Sequence, residues 1–298
     1  MSWSNRTIGS LSVSPIAMGG AHWSLWEDRD DDQSIRTINA GIDAGINFID
    51  TAHRYTFAND TSHNEWLIKK ALDAAGWASP VKASDIVVGT KGGHFYLDGD
   101  GPIDGRPETL RRHAELSLKT LGVESLDLYY LHWPDPQVPI VESMGEIETM
   151  RLEGKIRNVG VSNFDRDQLD QAITVTPVTA LQNKFNPGHQ PADERDLIKY
   201  TNQLGIAYVP YSPLGGTFPP TALKPIDPKL VELADQAGVS VPVLVLNWHL
   251  SLSPNIIPLV GSRRPESITD SARVMTANIP AEITAAVAAM LIERAATL

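Results

Sequence analysis

The sequence predicts an α/β fold in which eight strand and helix pairs close into a single (β/α)8 TIM barrel, with an N-terminal β-hairpin and an additional C-terminal helix. Short β-branched or aliphatic runs alternate with longer stretches of helical period, which is typical of parallel strands joined by crossover helices. The length of 298 residues is also usual for such a barrel. We therefore expect one domain over residues 1–298.

The elements follow from these runs in chain order. After a hairpin over residues 6–13, strands are expected at 16–18, 47–50, 86–90, 126–132, 159–162, 180–185, 207–211 and 256–260. Helices are expected at 31–44, 63–75, 107–121, 141–153, 165–172, 193–204, 228–250 with a break at Gly238, and 265–275. A last alanine-rich helix, 281–296, has no strand after it and is expected to pack on the outside.

Composition limits the classes of partner. The formal net charge of −11 repels phosphate at long range, so we expect no binding to nucleic acid or to a membrane surface. The chain has no cysteine, which excludes disulfides and thiolate chemistry. Its N-terminus is polar, and no segment approaches the roughly 18 apolar residues of a membrane span. We expect a cytoplasmic protein with no obligatory protein partner.

Polar residues gather where the predicted strands end, and in a barrel this edge holds the active site. They are Asp50, Lys91, His132, Ser162, Asn163 and Gln182. Singly, each has an ordinary structural explanation, such as a loop cap, a solvated charge or a core histidine. Their common position favours a functional site.

Four of the residues suit proton transfer to a developing alkoxide. The Tyr55 phenol, five residues after Asp50, is a weak acid unless a neighbouring cation stabilises its phenolate. Lys91 can be that cation, and Asp50 can neutralise it, since an unpaired buried charge costs several kcal/mol. His132 would then orient the carbonyl oxygen of a substrate.

Later segments suggest a nicotinamide cofactor as the hydride source. Ser162, Asn163 and Gln182 can bond a carboxamide, and Tyr211 offers a flat face for the ring. Ser212 and the following glycines allow close approach to a pyrophosphate. In VGSRRPES (260–267), a strand leads into a helix start with two guanidinium groups, which is either a phosphate site or a solvated helix cap.

Together these segments resemble the aldo-keto reductase superfamily over nearly the whole chain. GINFIDTAHRY (45–55) looks like the first signature of the family, and MRLEGKIRNVGVSNF (150–164) looks like the second. IIPLVGSRRPESITDS (256–271) is a weaker match to the third. The resemblance implies an NADPH-dependent oxidoreductase that reduces the carbonyl of a small aldehyde or ketone to an alcohol.

The resemblance also implies a role for each matching residue. The catalytic group would be Asp50, Tyr55, Lys91 and His132, with Tyr55 as the general acid. Ser162, Asn163 and Gln182 would hold the carboxamide, Tyr211 would stack on the ring, and the pyrophosphate would meet Ser212, Leu214 and Gly216. The 2′-phosphate of the adenosine would meet Ser262, Arg263 and Arg264, and Asp270 is also counted as cofactor-binding.

Departures from the family pattern affect the cofactor. Many members carry Lys at the position of Gly261 and Glu at that of Asp270, so the hold on the 2′-phosphate would rest on Arg263 and Arg264. The use of NADH as well as NADPH therefore stays open. For the substrate pocket, the sequence offers aromatic residues near the predicted rim, of which we choose Trp23, Phe57, His94 and Trp133.

Two other functions compete with this one. A metal-dependent barrel hydrolase could use the histidines near the rim, but Lys91 would lie among them and repel a cation, so we expect no metal. A regulatory or redox-sensing subunit could keep the fold and the cofactor with little turnover, as the potassium-channel β-subunits of this family suggest. The intact group of four residues argues against it.

Overall fold

Eight parallel strands form a closed barrel at the centre of the structure, a computed structural model that describes residues 3–57, 62–74, 83–95, 101–215 and 227–295. A hairpin of β1 (Arg6–Ile8) and β2 (Leu11–Val13) precedes them. The barrel strands are β3 (Ala17–Gly19), β4 (Phe48–Asp50), β5 (Val87–Gly92), β6 (Leu126–Leu131), β7 (Ile156–Ser162), β8 (Val178–Gln182), β9 (Ala207–Tyr208) and β10 (Leu259–Gly261).

The strands pair in chain order, and β10 pairs with β3. Isolated bridges from Tyr208 to Ile256 and from Tyr211 to Leu259 join the β9 side to the β10 side and close the circle. The predicted (β/α)8 barrel is therefore confirmed.

Helices follow the strands around the outside. They are α1 (Asp31–Asp43), α2 (His63–Ala74), α3 (Pro107–Leu121), α4 (Ile140–Leu152), α5 (Arg166–Ile173), α6 (Ala192–Gln203), α7 (Pro228–Ala237), α8 (Val241–Leu252), α9 (Pro265–Ala272) and α10 (Ala281–Ala295). The predicted break is confirmed, because Gly238 ends α7 at φ 66° and the Ser240 side chain caps α8. The C-terminal helix α10 packs against α7 and α8.

The apolar residues form two cores on opposite faces of the strands. The larger lies between the barrel and its helices, where α8 is buried almost throughout. The smaller fills the barrel interior and includes Phe48, Leu128 and Tyr130. Ile8 and Val13 of the hairpin belong to this inner core. The hairpin therefore closes one end of the barrel, and the opposite end stays open.

Several strands differ from their predicted bounds: β8 ends at Gln182 instead of at 185, β10 begins at Leu259 instead of at 256, and β9 and β7 also differ. The sequence predicts a seventh strand over 207–211, but β9 ends at Tyr208 because Pro210 has no N–H with which to continue a ladder. Tyr211 still donates its backbone N–H to the Asn183 carbonyl at 2.9 Å, so the chain keeps its direction. The fifth strand, β7, begins three residues before its predicted start at Val159, since it pairs with β6 from Ile156.

Within the described ranges, no single helix is long and apolar enough to cross a membrane, although α7 and α8 together, bent by 86°, have the length and composition to do so.

Candidate active site

A cavity of about 250 Å³ lies at the carboxyl ends of the barrel strands. Residues that end strands, or directly follow them, line its floor: Gly19, Asp50, His132, Ser162, Gln182 and Gly261. Parallel strands bring these side chains to one edge of the barrel, as the sequence predicts. The cavity lies opposite the end that the hairpin closes.

Lys91, Asp50 and Tyr55 meet at the floor of this cavity. The Lys91 ammonium donates hydrogen bonds to the Asp50 carboxylate and to the Thr51 carbonyl, the latter at 2.7 Å. It also lies 3.5 Å from the Tyr55 hydroxyl oxygen. Because the Lys91 and Asp50 side chains are both 0% exposed, the ion pair is fully enclosed.

The charges around Lys91 act on its proton affinity and on that of Tyr55. Burial lowers the pKa of Lys91, but the Asp50 carboxylate and Tyr55 raise it by more, so the amine stays protonated. Burial raises the pKa of the Tyr55 phenol, and the Lys91 charge offsets part of that increase. Tyr55 is therefore a protonated phenol with an ammonium beside it.

His132 completes the group of four. Its ring lies 5.8 Å from the Tyr55 ring in an edge-to-face arrangement. Burial, together with the positive charge of Lys91, holds the pKa of His132 well below its usual value, so the imidazole is neutral. Among the described residues, no group hydrogen-bonds its buried Nδ1. A neutral imidazole can donate one N–H to a carbonyl oxygen.

An adjacent wall of the cavity carries amide, hydroxyl and aromatic groups. Asn163 donates to the His132 carbonyl at 3.0 Å and accepts from the Tyr211 hydroxyl at 2.9 Å. Ser162 donates to the Gln182 carbonyl at 2.8 Å. Gln182, predicted to face a carboxamide, donates to the second Asp50 oxygen at 2.8 Å. This amide thus contacts the buried ion pair while it lines the cavity.

The backbone along this wall adopts an uncommon conformation at two residues. Asn163 has φ 62° and Ser212 has φ 53°, in the left-handed region that residues other than glycine seldom occupy. Such conformations concentrate at functional sites. Ser212 and Leu214, which are predicted to meet a pyrophosphate, line the cavity, whereas Gly216 lies outside the described residues.

The predicted phosphate-binding residues follow Gly261 at the start of α9. The Ser262 hydroxyl donates to the Arg264 carbonyl at 2.9 Å and fixes the turn into the helix. The Arg263 side chain lies 3.2 Å from the Asp28 carboxylate, and the Arg264 side chain is 65% exposed. The Arg264 guanidinium lies 3.4 Å from the Glu266 carboxylate, so both arginines at the start of α9 pair with carboxylates in this structure.

Asp270 does not join this group. Its carboxylate accepts from the Ser240 hydroxyl at 2.5 Å and lies 3.2 Å from Arg273. The residue lies more than one turn into α9, which directs its side chain to the start of α8 instead of to the helix N-terminus. The structure thus gives Asp270 structural contacts and separates it from the cavity lining.

Of the four aromatic residues chosen for the substrate pocket, two line the cavity. His94 and Trp133 do so, and the rings of His94 and His132 are 5.2 Å apart. Phe57 does not line the described part of the cavity. Trp23 does not line the described part of the cavity either: its side chain is 1% exposed, and its indole N–H donates to the Ser262 carbonyl at 2.7 Å.

The sequence prediction missed one charged residue of the site. Arg54 lines the cavity beside Tyr55. The signal in the sequence is that Arg54 directly precedes Tyr55, the predicted acid, in the loop after a strand.

In the described part of the chain, no group of three or more His, Asp or Glu side chains is placed to hold a metal ion. His53 instead accepts from, or donates to, the Ser62 hydroxyl at 2.8 Å, and its ring stacks on His113 at 4.1 Å. These histidines belong to a packed polar cluster.

Curated proteins of other organisms resemble this chain in sequence. A curated oxidoreductase of Schizosaccharomyces pombe, described as uncharacterized, is 29% identical over 287 residues, covering 93% of this chain and 86% of that protein. The 6-dehydroglucose reductase of Novosphingobium aromaticivorans is 29% identical over 279 residues, covering 91% of this chain and 90% of that protein.

A solved structure and a family model extend the comparison. The glycerol dehydrogenase from Gluconobacter oxydans superposes with a TM-score of 0.81 at 29% identity, covering 99% of this chain and 97% of that one. The family model described as "Aldo/keto reductase family" matches residues 15–292, a range that contains Asp50, Tyr55, Lys91 and His132. The chain is therefore a member of the aldo/keto reductase family.

Proposed function

We propose that this protein is an NADPH-dependent reductase that converts the carbonyl of an aldehyde or ketone into an alcohol. The observation that carries the proposal is the cluster of Asp50, Lys91, Tyr55 and His132 at the floor of an open cavity. It combines a proton donor, an adjacent cation, the counter-charge of that cation and a neutral imidazole. Membership of the family supports the same reaction class.

The chemistry of the cavity wall fits a nicotinamide cofactor. Ser162 and Asn163 carry the hydroxyl and amide groups that bond a carboxamide, and the Tyr211 ring offers a face for stacking. Gly261 lines the same cavity and leaves room for the His22 ring, with which a Cβ at this position would collide. When bound, a reduced nicotinamide supplies a hydride to the carbonyl carbon.

The residues of the chain supply the proton and the position of the carbonyl. The neutral His132 ring donates a hydrogen bond to the carbonyl oxygen and orients it. Tyr55 gives that oxygen its phenolic proton, and the Lys91 ammonium stabilises the phenolate that remains. Asp50 neutralises Lys91, and the phenolate recovers a proton from solvent. The product is the alcohol.

Replacement of Tyr55 by Phe tests this mechanism. We expect Tyr55→Phe to lower kcat for aldehyde reduction at least about 100-fold, because a positioned acid contributes roughly that much or more. NADPH affinity, measured by fluorescence titration, should change less than about twofold. Tyr200→Phe is the matched control, since the Tyr200 hydroxyl bonds Asp170 outside the cavity. An active Tyr55→Phe enzyme, or tight NADPH binding without turnover in the unaltered protein, would overturn the proposal.

The choice of NADPH over NADH rests on Arg263 and Arg264. Alanine at both positions should weaken NADPH about 10-fold to 100-fold, since charge-assisted hydrogen bonds contribute about 1.5–3 kcal/mol. NADH has no 2′-phosphate, so its affinity should change little. Arg166→Ala, at an arginine that is 62% exposed and pairs with Asp170, is the control. Equal weakening of both cofactors would remove the reason to prefer NADPH.

A further inference from the structure

Asn64, near the start of α2, is a buried amide that the proposed reaction does not use. It is 0% exposed and does not line the described part of the cavity. Burial of a polar side chain is costly unless its groups are hydrogen-bonded. The amide nitrogen and the amide oxygen of Asn64 are both bonded, and their partners lie in the two loops that follow β3 and β4.

The amide nitrogen of Asn64 holds the loop after β3. It donates to the Gly20 carbonyl and to the Ser24 hydroxyl, both at 2.8 Å. Because a carbonyl can only accept, the nitrogen must face Gly20, and this fixes the orientation of the amide. The two residues are so close that a Cβ at Gly20 would collide with Asn64 Oδ1. The glycine therefore makes room for the Asn64 side chain.

The other groups of Asn64 hold the loop after β4, which carries the proposed acid. Its amide oxygen accepts from the Thr51 hydroxyl at 2.6 Å, and its backbone N–H donates to the Tyr55 carbonyl at 3.1 Å. The Thr51 carbonyl in turn accepts from the Lys91 ammonium at 2.7 Å. Asn64 thus bonds the residue that carries the phenol and the residue that holds the ammonium.

We infer that Asn64 is a positioning residue that fixes the Tyr55 phenol relative to the Lys91 ammonium. The inference rests on the proposed reductase function and assigns a further residue to the same site. The Tyr55 hydroxyl oxygen and the Lys91 nitrogen lie 3.5 Å apart. The stabilisation of a phenolate by a cation declines with distance, and a displacement of about 1 Å can reduce a rate about 100-fold. A single amide on α2 that bonds both loops limits this displacement.

Asn64→Ala removes the side-chain hydrogen bonds to both loops. We expect kcat for aldehyde reduction to fall at least about tenfold, because Tyr55 is no longer held in place. NADPH affinity should change less than about threefold, since the side-chain partners of Asn64 lie in other loops than Ser162 and Asn163. The solvent deuterium isotope effect on kcat should increase, because transfer of the Tyr55 proton becomes slower. A purely structural role would lower stability without changing this isotope effect.

Asn247→Ala is the matched control. Asn247 is also a buried amide, and it bonds the side chains of Trp3 and Thr284 away from the cavity lining. Its replacement should destabilise the protein, because buried hydrogen bonds are lost, but it should keep kcat and the isotope effect. An equal loss of kcat in the Asn64 and Asn247 variants would overturn the inference.

Substitutions at Thr51 test the same link with less disturbance of the fold. Thr51→Val removes the hydroxyl that bonds Asn64 but keeps the backbone carbonyl that holds Lys91. Thr51→Val should lower kcat at least about fivefold, and Thr51→Ser, which keeps the hydroxyl, should retain most of the activity. In combination with Asn64→Ala, Thr51→Val should add little further loss, because both remove the same bond. An unchanged kcat in Thr51→Val, or fully additive losses, would contradict the inference.

Amide hydrogen exchange separates this inference from the reductase function, because it needs no turnover. The backbone N–H groups of Gly20 and Tyr55 bond carbonyls at the end of β4 and just after it. In Asn64→Ala both should exchange at least about tenfold faster, while the Asn163 amide keeps its rate. Faster exchange in this variant, with no aldehyde reduced by the unaltered protein, would refute the reductase function alone. Aldehyde reduction by the unaltered protein, with unchanged exchange in the variant, would refute the role of Asn64 alone.

Discussion

Replacement of Lys91 by Met would measure how strongly the fold depends on the buried ion pair. Met keeps most of the volume of the side chain but removes the ammonium. The Asp50 carboxylate, which is 0% exposed, would lose its counter-charge and keep only the Gln182 amide. Loss of one partner of a buried pair costs about 3–5 kcal/mol. We therefore expect the free energy of unfolding to fall by about that amount.

The double variant Asp50→Asn, Lys91→Met should recover much of the loss. Asn at position 50 can still accept from Gln182, and no isolated charge remains in the interior. We expect the double variant to be at least about 2 kcal/mol more stable than Lys91→Met alone. The comparison of the single and double variants thus separates the cost of the unpaired carboxylate from the loss of packing.

Urea unfolding, followed by circular dichroism at pH 7, provides the measurement. Lys69→Met is the matched control, because Lys69 forms a solvent-exposed pair with Asp73 at 2.6 Å. The control should change stability by less than about 1 kcal/mol. A Lys91→Met protein as stable as the control, or a double variant no more stable than the single one, would refute the argument.

Two further predictions concern stability. Burial lowers the pKa of His113 to about 3 in the folded protein. The pKa in the unfolded chain is near 6.5, so between these two values only the unfolded state binds this proton. Through this group, the free energy of unfolding should fall by about 1.4 kcal/mol per pH unit as pH decreases from 6.5 toward 3. In urea unfolding at several pH values, His113→Asn should reduce the slope by this amount. A slope that the variant leaves unchanged would contradict this. Gly160→Ala should destabilise the protein by about 1–3 kcal/mol, because the new methyl would collide with the Tyr130 ring, whereas Gly145→Ala, with open space in α4, should stabilise it by about 0.5–1 kcal/mol. Equal effects of the two substitutions would show that local space does not decide their sign.

Three of the four residues at the cavity floor could be predicted because each has a fixed relation to a strand, whereas Tyr55 lies in the loop after β4. Asp50 ends β4, Lys91 is the penultimate residue of β5, and His132 directly follows β6. A parallel barrel necessarily brings these positions to one edge. The assignment therefore needed only approximate strand ends, which apolar runs provide.

The loop residues could not be predicted in the same way. Ala21 and His22 line the cavity, but Trp23, one residue later, turns into the core because a short 3-10 helix over Ala21–Trp23 rotates it away. A rotation of one residue in a loop leaves no periodic signal in the sequence. The position of Arg54 in the cavity lining also depended on the path of a loop, which the strand pattern does not determine.

The closure of the barrel has a consequence for access to the cavity. The β9 and β10 sides meet through two isolated bridges instead of a continuous ladder. Tyr211 and Leu259 form one of these bridges, and both line the cavity. Local openings in proteins begin where few hydrogen bonds hold neighbouring segments together. Thermal opening of this seam would widen the cavity from the side. The Leu259 amide donates to the Pro210 carbonyl at 3.0 Å within the seam, so the exchange rate of its hydrogen would report how often the cavity opens.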